Sequence, residues 1–410
     1  MEKAIHWEDV EVLIVGSGLM GASLAQAFAQ NGVNVGLIGR REESVERAKG
    51  FINHELHEAW EKGIFSKPQT EDISQRILAG LDLKEACRGK NLQLVIESAT
   101  EETAVKKEIF QRLDEFCSPH VVLASNTSCL DAENLATHTK RPEKFVWMHF
   151  FFPAHKNHGG EYALLAQSSP KSLDTAAQYF KRTGKDAVQL IRYRKGGAAN
   201  VIFVALLLEA GHMLDENFST RSIDEAGKAA FTMPAGFIQL METVGLGLAA
   251  SCIKSFSDTT EPGHPFHRVY DTFFSPPESF RQPLAESQKR GEHFLSGQIH
   301  SSDEASTSLD LMVIEHLQRR FLAVAFMTAA EVVEAGVIKL DDVDRLCQNA
   351  FAWPEGPFRL MNKVGIREAL IMVTEKMELS HRREINFPIP RLLIEQAQKD
   401  EPWPLAQSFS

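Results

Sequence analysis

Three short segments carry side chains that can do acid–base or hydrogen-bonding chemistry. His149 ends the apolar segment Phe145–His149, Glu161 follows twelve residues later, and Ser128 closes the segment Ala124–Ser128. An imidazole can take a hydroxyl proton near neutral pH, and a carboxylate on its other ring nitrogen fixes the tautomer and stabilises the imidazolium. Oxidation of a secondary alcohol needs such a base while hydride leaves the same carbon. The structural alternative is a satisfied histidine at the end of a strand.

A glycine-rich turn near the N-terminus has the spacing of a dinucleotide-binding motif. The segment Gly16–Gly21 (GSGLMG) follows the apolar segment Glu11–Val15 and opens a helix pattern rich in alanine. In such a motif the glycines allow a tight turn, close approach to a pyrophosphate and close helix–strand packing. The phosphates then lie on free N–H groups at the helix N-terminus. The residues predicted to bind the dinucleotide are Gly16, Gly18, Leu19, Met20 and Gly21; glycines used only for a turn are the alternative.

The residues after the second strand-like segment bear on the choice between NAD and NADP. An Asp or Glu normally stands there to bind the ribose 2′-hydroxyl, whereas this chain has Gly39, Arg40 and Arg41. Guanidinium groups pair with phosphate in a bidentate manner, so Arg40 and Arg41 favour the 2′-phosphate of NADP. Two solvated arginines at the start of a helix are the alternative. The sequence therefore predicts NAD or NADP as the cofactor.

The elements that must position these residues alternate between strand and helix patterns over roughly the first 190 residues. Strands are predicted at Glu11–Val15, Asn34–Ile38, Leu92–Ile96, Val121–Ala124 and Phe145–His149. Helices are predicted over Leu19–Gln30 and Glu43–Lys62, and the second is so polar that we expect it to project from the domain. The alternation predicts an α/β Rossmann-type N-terminal domain.

From Asn200 onwards, apolar residues recur every three or four positions, which indicates helices, and the pattern occurs twice. The first occurrence contains Ile223-Asp224, Pro234, Gly236 and Val244-Gly245. The corresponding residues 120 positions later are Val343-Asp344, Pro354, Gly356 and Val364-Gly365. Residues 255–308 are polar and rich in Pro and Ser, which is typical of a linker or irregular segment. We therefore expect an all-α C-terminal region with a duplicated helical unit. The predicted domains are 1–193, 194–300 (with the linker) and 301–410.

Composition argues against several classes of protein. The formal net charge of −11 argues against nucleic acid as the main ligand, although it is compatible with a local basic pocket for an anionic small molecule. The longest apolar run, Val201–Leu208, is far shorter than the ~20 residues of a membrane span, and the N-terminus lacks the apolar core of a signal peptide. The five cysteines form no CxxC pair and no metal-ligand spacing. We expect no metal, no membrane association and a cytoplasmic location with reduced thiols.

Together these motifs resemble the 3-hydroxyacyl-CoA dehydrogenase family over nearly the whole chain. The features that match are GSGLMG, ASNTS, HFF-x-P with Glu161 twelve residues after His149, and Asn200 at the start of the helical region. The resemblance implies hydride transfer between a nicotinamide cofactor and a (3S)-3-hydroxyacyl-CoA/3-oxoacyl-CoA pair. It implies that His149 is the general base and Glu161 its partner. It also implies that Ser128 and Asn200 hydrogen-bond the substrate oxygen or the thioester carbonyl, with Ser128 close to the cofactor as well.

Further binding roles follow only from the resemblance. Glu101 and Lys106, which come after Val95-Ile96-Glu97, match a glutamate and a lysine near the ribose and nicotinamide of the cofactor. Lys62 matches a lysine that approaches the phosphates of CoA. On the residues alone, these side chains would pass for a solvated helix face.

Other positions depart from the family. Phe152 replaces an asparagine that contacts the cofactor, Lys195–Asn200 replaces the usual PGF segment, and Lys289–Phe294 keeps little of a KTGxGFY-like ending. Glu55 stands where some relatives have serine, and we expect its carboxylate to repel a CoA phosphate. Because the catalytic positions match while the binding contacts differ, the pattern indicates the same reaction with an altered substrate or cofactor.

Two alternatives stay open at this point. One is a dehydrogenase of a non-CoA hydroxy acid, as carnitine and gulonate dehydrogenases are, which Glu55 and the segment His155–Gly160 favour. The other is a nucleotide-binding protein that has lost catalysis, against which the matching catalytic positions weigh. His155 and His158 are interpreted as loop residues.

The duplication also predicts an assembly. Relatives with one helical unit usually pair through it as homodimers, whereas here a tethered second copy competes at high effective concentration. The 120-residue offset places Arg320 where the first copy has Asn200, so the second copy is predicted to be a packing partner without a site. We expect a monomer, or a homodimer that uses another surface, with an acyl-CoA thioester as the small-molecule partner.

Overall fold

The computed structural model describes residues 5–244, 252–253, 256, 277–281 and 310–405. The chain divides into two compact units, Met1–Lys195 and Gly196–Ser410. The predicted domain boundary at residue 300, the segment Lys289–Phe294, Gly245 and most of the predicted linker at 255–308 lie outside the described residues.

The N-terminal unit is built on an eight-stranded sheet with the order β3-β2-β1-β4-β5-β6-β7-β8. The strands are β1 (Val12–Val15), β2 (Val35–Ile38), β3 (Ile77–Gly80), β4 (Leu94–Glu97), β5 (Val122–Ser125), β6 (Phe145–Phe150), β7 (Gly159–Ala163) and β8 (Asp186–Gln189). Neighbouring strands are parallel except β6 and β7, which are antiparallel. The predicted Rossmann-type α/β fold is confirmed. The five predicted strands are present, and β3, β7 and β8 were not predicted.

Helices cover the sheet of this unit. They are α1 (Leu19–Ala29), α2 (Glu42–Glu61), α3 (Lys67–Gln75), α4 (Leu83–Ala86), α5 (Thr103–Phe116), α6 (Ala132–Ala136) and α7 (Pro170–Arg182). The expectation that α2 projects from the domain is wrong, because α2 packs against α1 and α3. One face of α2 is apolar and buried, and its residues are Val45, Ala48, Ile52, Leu56 and Ala59. Their spacing of three and four residues gives the helix a core-facing stripe despite its polar composition.

The C-terminal unit is helical in its described part. Its first helices are α8 (Ala199–Asp215), α9 (Thr220–Phe231) and α10 (Phe237–Val244), and later helices are α11 (Leu311–Glu334), α12 (Leu340–Phe351), α13 (Pro357–Val364), α14 (Ile366–His381) and α15 (Arg391–Lys399). Helix α11 packs against both α8 and α9. Almost all of α8 is buried, which its continuous apolar sequence explains.

The internal repeat is visible at the level of single hydrogen bonds. The bounds of α9 and α10 reappear as those of α12 and α13 after an offset of 120 residues. Asp224 accepts hydrogen bonds from the backbone N–H groups of Ile238 and Gln239 at 2.8 and 3.3 Å. Asp344 accepts the corresponding bonds from Phe358 and Arg359 at 2.8 and 2.9 Å. The carboxylate caps the following helix in both copies, which confirms the duplication.

The two helical copies pack against each other through equivalent positions. Met233 and Trp353 are related by the 120-residue offset, and they contact each other, with the indole Nε1 3.0 Å from the Met233 Sδ. The Phe231 ring stacks on Trp353 with a centroid distance of 4.1 Å. A contact between equivalent positions of two copies is the mark of isologous pairing.

In the part of the chain that the structure describes, no helix is both long and apolar enough to cross a membrane. No group of three or more His, Cys, Asp or Glu side chains in that part of the chain is placed to hold a metal ion.

Candidate active site

The carboxyl ends of the central parallel strands bring the predicted catalytic and cofactor segments of the N-terminal unit together. The turn Gly16–Gly21 follows β1, Asn126–Ser128 follows β5, and His149 lies near the end of β6. In a parallel sheet all these ends lie at the same edge, where ligands bind in open α/β folds.

His149 and Glu161 form a buried pair. They are direct partners in the antiparallel register of β6 and β7, so the sheet itself sets their spacing. The His149 Nδ1 lies 3.0 Å from Glu161 Oε1, and the imidazole is only 3% exposed. Because the carboxylate accepts a hydrogen bond from Nδ1–H, the imidazole lone pair is on Nε2, which can take a proton.

Ser128 lies on the other side of the imidazole. Its Oγ is 3.2 Å from His149 Nε2. The Ser128 backbone N–H donates to Glu101 Oε1 at 2.6 Å, and the neighbouring Thr127 Oγ1 donates to Glu101 Oε2 at 2.8 Å. Glu101 therefore holds the Thr127–Ser128 segment in place next to the histidine.

Aromatic and amide contacts fix the orientation of the His149 ring. Trp147 stacks on it at a centroid distance of 5.3 Å, and Phe151 meets it edge-on at 5.0 Å. The Trp147 indole donates to Thr127 O at 3.0 Å, and the Phe150 N–H donates to Asn126 Oδ1 at 2.8 Å. No role for Trp147 or Asn126 could be predicted from the sequence, because these contacts join β6 to the residues after β5, which are 20 and 24 positions away in the chain.

Lys106 is buried beneath this edge. Its Nζ lies 2.7 Å from Glu97 Oε1 and 3.6 Å from Glu101 Oε2, and it donates to Ala99 O at 3.2 Å. Burial raises the pKa of Glu97; for Lys106, burial would lower the pKa, but the carboxylates of Glu101 and Glu97 outweigh it and raise the pKa. Lys106 therefore binds the two glutamates, Glu97 and Glu101. Direct contact of Lys106 or Glu101 with a cofactor stays a prediction.

The glycine turn has the geometry that a dinucleotide pyrophosphate requires. Gly16 has a φ of +126°, and a Cβ on Gly21 would lie 1.7 Å from Gly16 O, so both positions need glycine. A Cβ on Gly18 would meet nothing within 4 Å, so this side of the turn is open. Gly18 begins α1 without a side-chain cap, so the first N–H groups of an eleven-residue helix are available to an anion. The residues present therefore fit a bound NAD.

The end of β2 has no space for an acidic side chain. A Cβ on Gly39 would lie 2.4 Å from Ser17 Oγ and 2.6 Å from Val45 Cγ2. Arg40 and Arg41 are exposed, and neither guanidinium forms a hydrogen bond or ion pair within the described part of the chain. The Ser17 and Ser44 hydroxyls lie next to Gly39, 2.9 Å from each other.

His155 and Glu55 form a buried bridge that the sequence did not reveal. His155 lies in a loop as interpreted, but its ring is buried, with Nδ1 2.9 Å from Ser23 Oγ on α1 and Nε2 2.8 Å from Glu55 Oε2 on α2. Glu55 also forms a close ion pair with Lys156. Burial would raise the pKa of Glu55, but Lys156 and His155 outweigh it and lower it. Glu55 is therefore an ion-paired carboxylate, and its repulsion of a CoA phosphate stays a prediction.

Lys62 and Asn200 complete the predicted set. Lys62 is exposed directly after α2, 2.5 Å from Glu58, whose carboxylate raises the pKa of Lys62. Asn200 is the second residue of α8 in the C-terminal unit and is half-buried. Their contacts with a substrate stay predictions.

Comparison with known protein families agrees with this geometry. The family model described as 3-hydroxyacyl-CoA dehydrogenase, NAD binding domain, matches residues 11–193. The model described as 3-hydroxyacyl-CoA dehydrogenase, C-terminal domain, matches two segments, residues 196–282 and 316–399. Together the two models cover most of the chain, including both helical copies.

Individual relatives are similar over most of their own length. The 3-hydroxybutyryl-CoA dehydrogenase of Clostridioides difficile is 29% identical over 261 residues, which are 62% of this chain and 92% of the relative. The mitochondrial hydroxyacyl-coenzyme A dehydrogenase of Sus scrofa is 29% identical over 290 residues, 69% of this chain and 90% of the relative. Among solved structures, a 3-hydroxybutyryl-CoA dehydrogenase from Escherichia coli has a TM-score of 0.77 at 19% identity, covering 96% of this chain and 99% of its own. At that identity the last similarity shows the fold alone.

Proposed function

This chain belongs to the 3-hydroxyacyl-CoA dehydrogenase family, and from that premise we propose that it interconverts (3S)-3-hydroxyacyl-CoA and 3-oxoacyl-CoA with His149 as the general base. It is an oxidoreductase whose nucleotide-binding domain takes NAD. The observation that carries the proposal is the buried His149–Glu161 pair, with the Ser128 hydroxyl next to the other imidazole nitrogen, Nε2.

In the oxidation, the proton of the substrate 3-hydroxyl moves to His149 Nε2 as the C3–H bond breaks. NAD, when bound, accepts the hydride with its electron pair. Glu161 stabilises the imidazolium that forms, because its carboxylate lies 3.0 Å from Nδ1. Ser128 Oγ, 3.2 Å from Nε2, is in position to hydrogen-bond the same substrate oxygen. The reverse direction returns the proton from Nε2 to the oxygen of the 3-oxo group.

The charges around α2 do not oppose a CoA thioester as substrate. Glu55 lies where its carboxylate could repel a CoA phosphate, but it is balanced by Lys156 and hydrogen-bonded by His155. Glu58 is balanced by Lys62 in the same way. An exposed ion pair of this kind is weak because water screens it, so a phosphate can still recruit Lys62.

A substrate panel tests the proposed function. We expect wild-type protein with NAD to form NADH, followed by its absorbance, when given (3S)-3-hydroxybutyryl-CoA or a longer homologue. We expect much slower turnover with free 3-hydroxybutyrate, carnitine or gulonate. Turnover of a free hydroxy acid but not of the thioesters would show that the carrier assignment is wrong, and absence of any turnover would favour a protein that has lost catalysis.

We also predict that NADP(H) binds at least as tightly as NAD(H). Arg40 and Arg41 are exposed beside Gly39, where no acidic side chain fits, and each charge-assisted contact with a 2′-phosphate contributes about 1.5–3 kcal/mol. Dissociation constants of both cofactors, measured by titration, check this for the wild type and for Arg40→Gln with Arg41→Gln. The matched control is Arg47→Gln, an exposed arginine further along α2. If wild-type protein binds NAD(H) tenfold or more tightly than NADP(H), Arg40 and Arg41 are only solvated.

A further inference from the structure

The C-terminal unit holds a cluster of five charged residues between its two helical copies, and three of the five are buried. This charge cluster consists of Glu209, Glu216, Arg320, Lys376 and Arg383. Arg320 lies 2.7 Å from Glu209 through Nε and binds the carboxylate of Glu216 with both terminal nitrogens, each at 2.7 Å. Lys376 Nζ lies 2.7 Å from Glu209 Oε2, and Arg383 lies 2.9 Å from Glu216. Glu209, Arg320 and Lys376 are each at most 5% exposed.

The signs of the charges are divided between the copies. Both carboxylates lie within residues 196–282, the first copy, at the C-terminal half of α8 and just after it. All three cations lie within residues 316–399, the second copy. At the 120-residue offset, Glu209 corresponds to Ala329 and Arg320 corresponds to Asn200. The charge cluster therefore has no symmetry-related counterpart made of the same residues.

This asymmetry bears on which copies can pair. In a two-fold arrangement, a contact between positions i and j implies the reciprocal contact. If two first copies paired as the first and second copies do here, Glu209 of each would face Asn200 of the other. A buried carboxylate without a cation is strongly destabilising, whereas one with matched cations is tolerated.

We propose that the charge cluster determines the pairing partner of the first helical copy, admitting the second copy of the same chain and excluding another first copy. Buried ion pairs add little to stability on balance, and their best-attested use is to specify partner and register. Asn200 and Arg320 occupy equivalent positions in the two copies, and Arg320 lies at the centre of the interface. This inference does not depend on the substrate of the enzyme.

The ionisation of Glu209 supports the proposal. Burial would raise its pKa, but Arg320 and Lys376 outweigh burial and lower the pKa to about 2. Two histidines lie near the charge cluster, His212 on α8 and His316 on α11, and burial lowers the pKa of both. Glu209 is accordingly a carboxylate at neutral pH, and burial lowers the pKa of Lys376 in spite of Glu209.

Hydrogen exchange of the full-length chain, followed by mass spectrometry, tests the role of the charges. The variant Arg320→Asn/Lys376→Met leaves Glu209 buried without its two cations. We expect exchange of the α8 and α11 amides to accelerate by roughly a hundredfold or more. Adding Glu209→Gln to that variant should restore most of the protection from exchange, because a buried glutamine is uncharged and needs no cation beside it. The control is Arg319→Asn, a neighbouring arginine that is about one third exposed and pairs with Glu368 and Glu375 at the surface.

Two results of that experiment would overturn the proposal. One is that the double variant behaves like Arg319→Asn, and the other is that Glu209→Gln restores nothing, including when the double variant does not fold. Partner choice is read separately by cross-linking a mixture of wild-type chains labelled with ¹⁴N and ¹⁵N. Cross-links between α8 and α11 are expected within single chains only. A cross-link of mixed isotope content that joins two α8 helices would contradict the proposal.

Discussion

His149→Gln should lower turnover by about two to four orders of magnitude while leaving the affinity for NAD nearly unchanged. Glutamine keeps a polar group near Ser128 but cannot take the substrate proton. The glycine turn and α1, which would hold the pyrophosphate, make no contact with the imidazole among those described. Steady-state kinetics and a cofactor titration on the same preparation measure the two effects.

The matched control is His158→Gln, an exposed histidine in the same β6–β7 connection. It should retain wild-type turnover. A companion variant, Glu161→Gln, should be milder than His149→Gln and should shift the pH–rate profile, because the carboxylate no longer stabilises the imidazolium. Full activity in His149→Gln would rule out this residue as the base.

Removal of residues 309–410 should turn a monodisperse protein into one that dimerises or aggregates. Helix α11 packs on α8 and α9, and its removal uncovers part of α8, a helix whose side chains are mostly apolar and buried. Exposed apolar patches of this kind drive association. Light scattering on the intact chain and the truncated chain compares their masses.

Supplying residues 309–410 as a separate polypeptide is the control for the truncation. If the uncovered face is the cause, the added segment should return the truncated chain to a one-to-one complex. A soluble, well-folded monomer from the truncated chain alone would show that the second copy is not needed to cover the first. The intact chain is expected to be a monomer, or a dimer that uses another surface.

The sequence predicted the parts of the fold that depend on local pattern. The central strands appear as runs of Val, Ile and Leu because both faces of a parallel sheet are buried. Strand β7 was missed because its sequence, GGEYA, begins with two glycines and carries little strand signal of its own; its place is set by pairing with β6 and β8. Strand β8 exposes half of its residues and has one fully buried side chain, so it carries little apolar signal.

The candidate site shows the same division. His149, Glu161 and Ser128 were identified by motif, and the structure brings them together. The His155 bridge joins residues 100 and 132 positions away in the chain, so no local pattern could reveal it. The projecting α2 was a misreading of composition, since the three-and-four spacing of its apolar residues was present in the sequence.

The central claim is that hydride passes between C3 of an acyl-CoA and NAD. The measurement that tests it most directly is incubation of wild-type protein with NAD and (3S)-3-hydroxybutyryl-CoA deuterated at C3, followed by mass analysis of the dinucleotide. We expect one deuterium in the NADH formed and a slower rate than with the unlabelled thioester if hydride transfer limits turnover. NADH formed without deuterium, or no NADH at all from the thioester, would contradict the account.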